Sequence, residues 1–384
     1  MPNERISSVR ISPDSATVLK QLGLLADFAG TWHGEGFNLI ARPDSEGNAN
    51  LYLQLNQTHE TLKLDPIGSS IPNRGFGQND IELFGLTYLQ KISDAATGGA
   101  MHIEPGIWVT QQGTTTYPPE TAPAGAQIVA RMGNIPHGNS MLAQGIAQPF
   151  AGPPTLTTPA AQYAFSAFPS FNSTPFPVPP PPAPPVLNAA GSSEALTGPA
   201  GGFSQYNIAN PESAANPRTP FATNPPDPPL PAAIGGVLMQ DVVNDPITLL
   251  QAVIAKQVDD GHTFEGTVIN VATQASITFF TTPNSKAGDP AVVVNPANGA
   301  GGIENILFLE GGEPTGPKGA NADTATVYAT FWIEKVSHKD HPTFMQLQYA
   351  QMVILNFPIL TVLPKVVTLG WPHISVATLR KTFS

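Results

Sequence analysis

Histidines and carboxylates carry the chemistry this chain can offer. Cysteine is absent, which removes disulfides, thiolate nucleophiles, iron–sulfur clusters and thiolate-ligated metals together. His373 opens an alternating run in which His373, Ser375, Ala377 and Leu379 share one side, and Ile374, Val376, Thr378 and Arg380 the other. The run reads as a last β-strand, with Pro372 tolerated just before it. If the first side lines a closed barrel, His373 points into an apolar hollow with small neighbours. A neutral imidazole there is able to ligate a haem iron. The competing reading is an imidazole that closes a barrel end by bonding to a backbone carbonyl.

His102 and Glu104 lie two positions apart in strand-like sequence, so they share a side and are placed to pair. A solvent-facing polar row, including Glu60 and Glu334, is the alternative. His137 sits in a turn-rich stretch, Gly133 to Ser140, from which it could fold over a cavity mouth. The His338-Lys339-Asp340-His341 run reads as a solvated turn rather than a metal site. No Gly-x-Ser-x-Gly elbow and no phosphate-binding loop ending in Gly-Lys-Ser/Thr is present. The glycines at 30, 34 and 36 fail the dinucleotide fingerprint, because they fall in strand-like sequence with no crossover helix after them.

The elements that must position these groups are mostly strands. A helix is expected over 14–29, ended by Gly30, and another over 245–257 with Asp245 as its cap and Pro246 at its first position. Strand character runs through 30–40, 51–58, 60–65, 81–91, 101–109, 126–132 and 141–145. It resumes at 263–272, 276–281, 291–294, 306–309, 325–337, 344–355 and 373–383. The segments 51–58 and 60–65 read as one long bent strand. Gln54, Asn56, Gln346 and Gln348 either line a wet interior or face solvent. The pattern predicts a mainly β fold, an antiparallel lipocalin-like barrel with a few helices. One barrel is expected to take its N-terminal part from 1–148 and its C-terminal part from 233–384.

Residues 149–232 interrupt that pattern with 22 of the 42 prolines and four charged residues. Their aromatics, among them Phe165, Phe171 and Tyr206, suggest an insertion lying on the barrel or at an oligomer contact, against the alternative of a flexible tether. A formal charge of −11 argues against nucleic acid and against anionic membrane surfaces. The most apolar run, 352–367, is broken by Asn356, Pro358, Pro364 and Lys365, so no membrane span is expected. The first residues lack the apolar core of a secretory signal, which makes a cytoplasmic location the expectation.

Several separated pieces together resemble the nitrobindin-like haem-binding β-barrels. Gly30-Thr31-Trp32-His33-Gly34-Glu35-Gly36 is similar to their opening Gly-Thr-Trp-x-Gly-x-Gly strand. Glu60 to Leu64 and Leu86 to Gln90, with Tyr88, look like the elements that follow. Met101-His102-Ile103-Glu104-Pro105-Gly106-Ile107 is similar to their Met-His-x-Glu-x-Gly-Tyr strand, with Ile107 in the aromatic position. Asn139 to Gly145 and the final strand from His373 to Arg380 complete the likeness. It covers about 24–145 and 340–383; the proline-rich insertion, the helix near 245–257 and the strands within 263–337 have no counterpart. The resemblance implies a ten-stranded barrel holding one b-type haem (haem b), with His373 as the iron ligand. Trp32, Tyr88 and Met101 are then further cofactor-binding positions. Nitric oxide binding and isomerisation of peroxynitrite to nitrate are the activities it implies.

Three functions remain open on the residues alone. The first is a haem barrel acting on nitric oxide, peroxynitrite or another small oxidant. The second is a haem-free barrel for an apolar small molecule. The third is a haem-free enzyme using His102, Glu104 and His137.

Overall fold

Each long strand alternates between a side packed on one shared core and a side turned away from it, the condition for a barrel. In the computed structural model, ten antiparallel strands close on themselves. They are β1 (Gly30–Asp44), β2 (Ala49–Pro66), β4 (Ile81–Asp94), β5 (Ala100–Gln111), β6 (Gln127–Asn134) and β7 (Ser140–Ala151). β10 (Thr263–Ala272), β13 (Thr326–Ser337), β14 (Phe344–Leu360) and β15 (Val366–Thr382) complete the wall. The order around the wall follows the chain, and the β2–β4 and β1–β15 pairings close it. β3 (Ile71–Asn73) adds to β4 at one edge, while β8 (Ala233–Ile234) pairs with β9 (Val237–Leu238) and β11 (Ile277–Phe280) with β12 (Ala291–Val294). The structure describes residues 15–44, 49–73, 80–111, 125–135, 140–156, 231–244, 246–273, 277–280, 291–294, 326–360 and 366–382. His137, the strand expected at 306–309 and the insertion between 157 and 230 lie outside them.

The fold is the mainly β, lipocalin-like barrel expected. β2 is a single strand through 51–65. β10 and β13, which the family resemblance did not supply, stand in the barrel wall. Three expectations change at element ends. The first helix stops at Leu22 as α1 (Ser15–Leu22), because Gly23 takes a left-handed φ of 55°, and a 3₁₀ turn (Gly23–Phe28) follows. The helix expected over 245–257 forms as α3 (Ile247–Asp259), after the short α2 (Met239–Asn244). Its cap is Pro246, one residue later than expected, with no side-chain cap bond. The last strand begins at Val366 and passes through Pro372. Pairing with β1 starts only at His373, so on the β1 side the proline interrupts no ladder.

The 3₁₀ turn closes one end of the barrel. Leu22, Leu25 and Phe28 are fully buried against Trp32, Leu64, Leu86 and Trp108. Phe28, Trp108, Phe331 and Tyr349 form a chain of ring contacts with centroids 5.2–5.9 Å apart. Outside the wall, α3 buries Ile247, Leu250, Ile254 and Gln257, and the Gln348 amide donates to the Leu250 carbonyl at 3.3 Å. No helix among the described residues is long and apolar enough to cross a membrane.

Candidate functional site in the barrel interior

Above the aromatic layer, the interior turns polar at mid-height. Arg131 on β6 pairs with Glu104 on β5 at 2.8 Å, with side chains 2% and 0% exposed. The Arg131 Nε donates to the Tyr88 hydroxyl at 3.1 Å, and that hydroxyl donates to Glu104. Burial would raise the Glu104 carboxyl, but Arg131, His102 and Tyr88 override it and hold the group at about 2. Burial also pushes the Tyr88 hydroxyl well up. His102 Nε2 lies 3.3 Å from the other Glu104 oxygen. The His102–Glu104 pair read from spacing is therefore present, facing inward rather than towards solvent. The guanidinium lies 5.3 Å from the Phe331 ring centre and 5.7 Å from that of Trp108, which seats the ionic layer on the aromatic one.

A second unit adjoins the first. Tyr349 and Gln90 donate to Glu60 Oε2 at 2.5 and 3.4 Å, and Thr58 donates to its Oε1 at 3.1 Å. Burial raises the Glu60 carboxyl despite these donors, so the two carboxyls, Glu60 and Glu104, are driven apart in acidity. Glycines make room for the network. A Cβ at Gly133 would strike Glu104 and Tyr88, and one at Gly106 the Tyr88 ring.

His373 stands at the other end of the interior from the 3₁₀ turn. It pairs with Val353 on β14 and with Ile40 on β1, one step beyond the Ser375–Gln351 pair. Ala377 and Leu379 on the same side belong to the barrel core, so the imidazole side faces inward, and its Nε2 is shielded from solvent. The expected apolar surroundings apply only in part. Ala377 and Leu379 are apolar, but the level beside and just below His373 carries Asn38, Asn56, Ser375 and Gln351. Asn56 lines the interior, whereas Gln346 and Gln348 lie on the outer wall, buried under α3. The interior reading holds for Asn56, and neither open reading holds for Gln346 and Gln348.

The remaining candidates are spread out. Trp32 lies eight positions along β1 from the partner of His373, at the closed end, where its Nε1 donates to the Phe28 carbonyl at 2.9 Å. Tyr88 belongs to the ionic layer. Met101 lines an outer groove of about 1000 Å³ with His33, Glu35, His59, Lys91 and Ile103.

Two clusters escaped the sequence reading. His262 joins His338 and His341, with ring centres 4.6 Å apart for the latter pair and 4.9 Å for His262–His338. His262 lies 76 positions from His338, so no local spacing announces the contact. His341 stacks on both other rings while His262 and His338 tilt against each other, and among the described residues no group of three His, Asp or Glu is placed to hold a metal. Glu334 on the outer wall is 0% exposed and accepts from Gln346 at 2.6 Å, and Gln346 is in turn bonded to Gln257 of α3. Burial raises the Glu334 carboxyl to about 8, and the Gln346 bond offsets this only in part.

No protein-family model matches the chain, and no curated protein sequence does either. Among solved structures, the crystal structure of Rv2717c from M. tuberculosis is similar at 9% identity, over 94% of this chain and 98% of that one. The TM-score is 0.27, and so distant a likeness bears on neither the fold nor the chemistry of this barrel.

Proposed function

We propose that this chain is a small-molecule-binding barrel whose ligand enters at the His373 end and rests on the Arg131–Glu104–Gln351 layer. The observation that carries this reading is an inward imidazole, shielded at Nε2, one strand step above that layer. A b-type haem is the first ligand we propose, in keeping with the nitrobindin-like motifs. The donor set suits it: His373 presents an inward imidazole above the ionic layer, the other inward imidazole, His102, lies against Glu104, and the chain has no thiolate. Haem, when bound, supplies an iron with one open position for nitric oxide, peroxynitrite or another small oxidant. The chain's own part would be to offer His373 as a nitrogen donor to the iron, to keep water from its Nε2, and to brace the floor through Gln351. Haem titration followed by the Soret band tests this. The expected result is a stoichiometric band lost in His373→Ala; equal uptake by that variant overturns the assignment.

A haem-free binding barrel is the second reading. The polar level formed by Asn38, Asn56 and Ser375 favours it, because a porphyrin face gains little from carboxamide acceptors. A catalytic use of His102 and Glu104 finds less support, because Arg131 already holds the fully buried Glu104 carboxylate.

A further inference from the structure

The layer beside His373 holds two buried carboxamide oxygens that no donor reaches. Asn38 and Asn56 are register partners on β1 and β2, both on the inward side. The Asn56 amide donates to Asp94 at 2.8 Å, which orients the group and leaves its carbonyl oxygen turned away from Asp94. That oxygen is buried and accepts nothing, and the same holds for the carbonyl oxygen of Asn38, a residue 4% exposed. Two nearby hydroxyls, those of Thr58 and Tyr349, give their protons to Glu60 instead. Asp94 is partly buried, which opposes its charge. Bonds from Asn56, Thr97 and Ala96 outweigh that and hold it below the usual carboxylate range.

A buried acceptor left unpaired costs about 1–3 kcal/mol, so two side by side call for a donor from elsewhere. Directly opposed side chains on paired strands stand roughly 4.5–5.5 Å apart at Cβ, a gap that one nitrogen bearing several protons spans. We propose that this level binds the primary ammonium group of a small organic molecule. Its N–H groups bond to Asn38 Oδ1 and Asn56 Oδ1, and the Asp94 carboxylate behind Asn56 supplies the counter-charge. The formal charge of −11 draws such a cation towards the protein. This inference rests on the binding-barrel reading and names the ligand class for its haem-free form.

Calorimetric titration of the full chain at pH 7 with n-hexylammonium, 1-hexanol and n-hexanoate tests it. Hexylammonium is expected to bind at least tenfold more tightly than hexanol, with hexanoate weakest. Asn38→Leu and Asp94→Asn are each expected to lose at least tenfold for hexylammonium and much less for hexanol. Asn38→Leu is also expected to keep or raise the urea midpoint, because it removes an unpaired acceptor. Equal binding of hexylammonium and hexanol, or preference for hexanoate, overturns the inference. Haem uptake without any amine binding also overturns it and leaves the barrel reading standing. Failure of haem and all three probes removes both.

Discussion

The guanidinium of Arg131 donates to the carboxamide oxygen of Gln351 at 2.6 Å, although the two residues lie 220 positions apart. This bond crosses the interior and ties the strands before the insertion to those after it. With the Glu104 pair, it forms the floor under His373. The geometry makes the floor a stability element as much as a binding surface.

Removing one partner of a buried ion pair leaves the other charge uncompensated. Arg131→Leu is expected to lower unfolding free energy by about 3–5 kcal/mol, whereas Arg131→Leu with Glu104→Leu recovers much of that loss. Urea denaturation of the two single variants and the double variant checks the coupling. Additive losses would show that the pair contributes little.

The acid limb of stability follows from the same carboxylate. Glu104 is held at about 2 in the folded chain, below its unfolded value. Its contribution is thus fully present above roughly pH 4.5 and declines as pH falls towards 2. Melting temperatures between pH 6 and pH 3 are expected to drop in the native chain and to change less in the double variant.

Glu334 acts in the opposite sense. Raised to about 8, it binds a proton in the folded state that the unfolded state has released. Stability conferred by the neutral acid is complete below roughly pH 4.5 and is lost as pH rises through 8. Hydrogen exchange at pH 9 is expected to expose α3, which hangs on the Glu334–Gln346–Gln257 chain. Glu334→Gln should restore protection; continued exposure in that variant would point to another group.

Trp32 separates structural from binding roles. Trp32→Phe loses the bond to the Phe28 carbonyl and some buried area, at about 1–3 kcal/mol. It is expected to leave haem or amine binding unchanged, because it lies about 26 Å along the strand from the His373 level. A matching loss in affinity would mean that the closed end shapes the chamber.

Alternation and turn residues made most of the barrel legible, because a strand with one packed side must repeat every second residue. His373, Ser375, Ala377 and Leu379 face inward as their parity indicated. So does the His102–Glu104 pair. The partners across the interior were not legible: Tyr349 meets Glu60, and Gln351 meets Arg131, only once the wall has closed. The left-handed Gly23 was hidden as well, because apolar spacing continues through it while the backbone does not. Gln346 and Gln348 misled for another reason. Their side of the strand is covered by α3, so polar residues there are neither interior lining nor solvent-facing.

Thr31 and Thr382 sit opposite each other on β1 and β15, and the Thr382 hydroxyl donates to the Thr31 carbonyl across 351 positions. The cylinder is in effect a ring of hairpins cut at one seam. During synthesis, β1 must therefore wait with one edge bare until the ribosome has released β15. Closure is expected to be late and slow, as for other contacts of long range. A permuted gene that joins β15 to β1 and opens elsewhere would remove that wait.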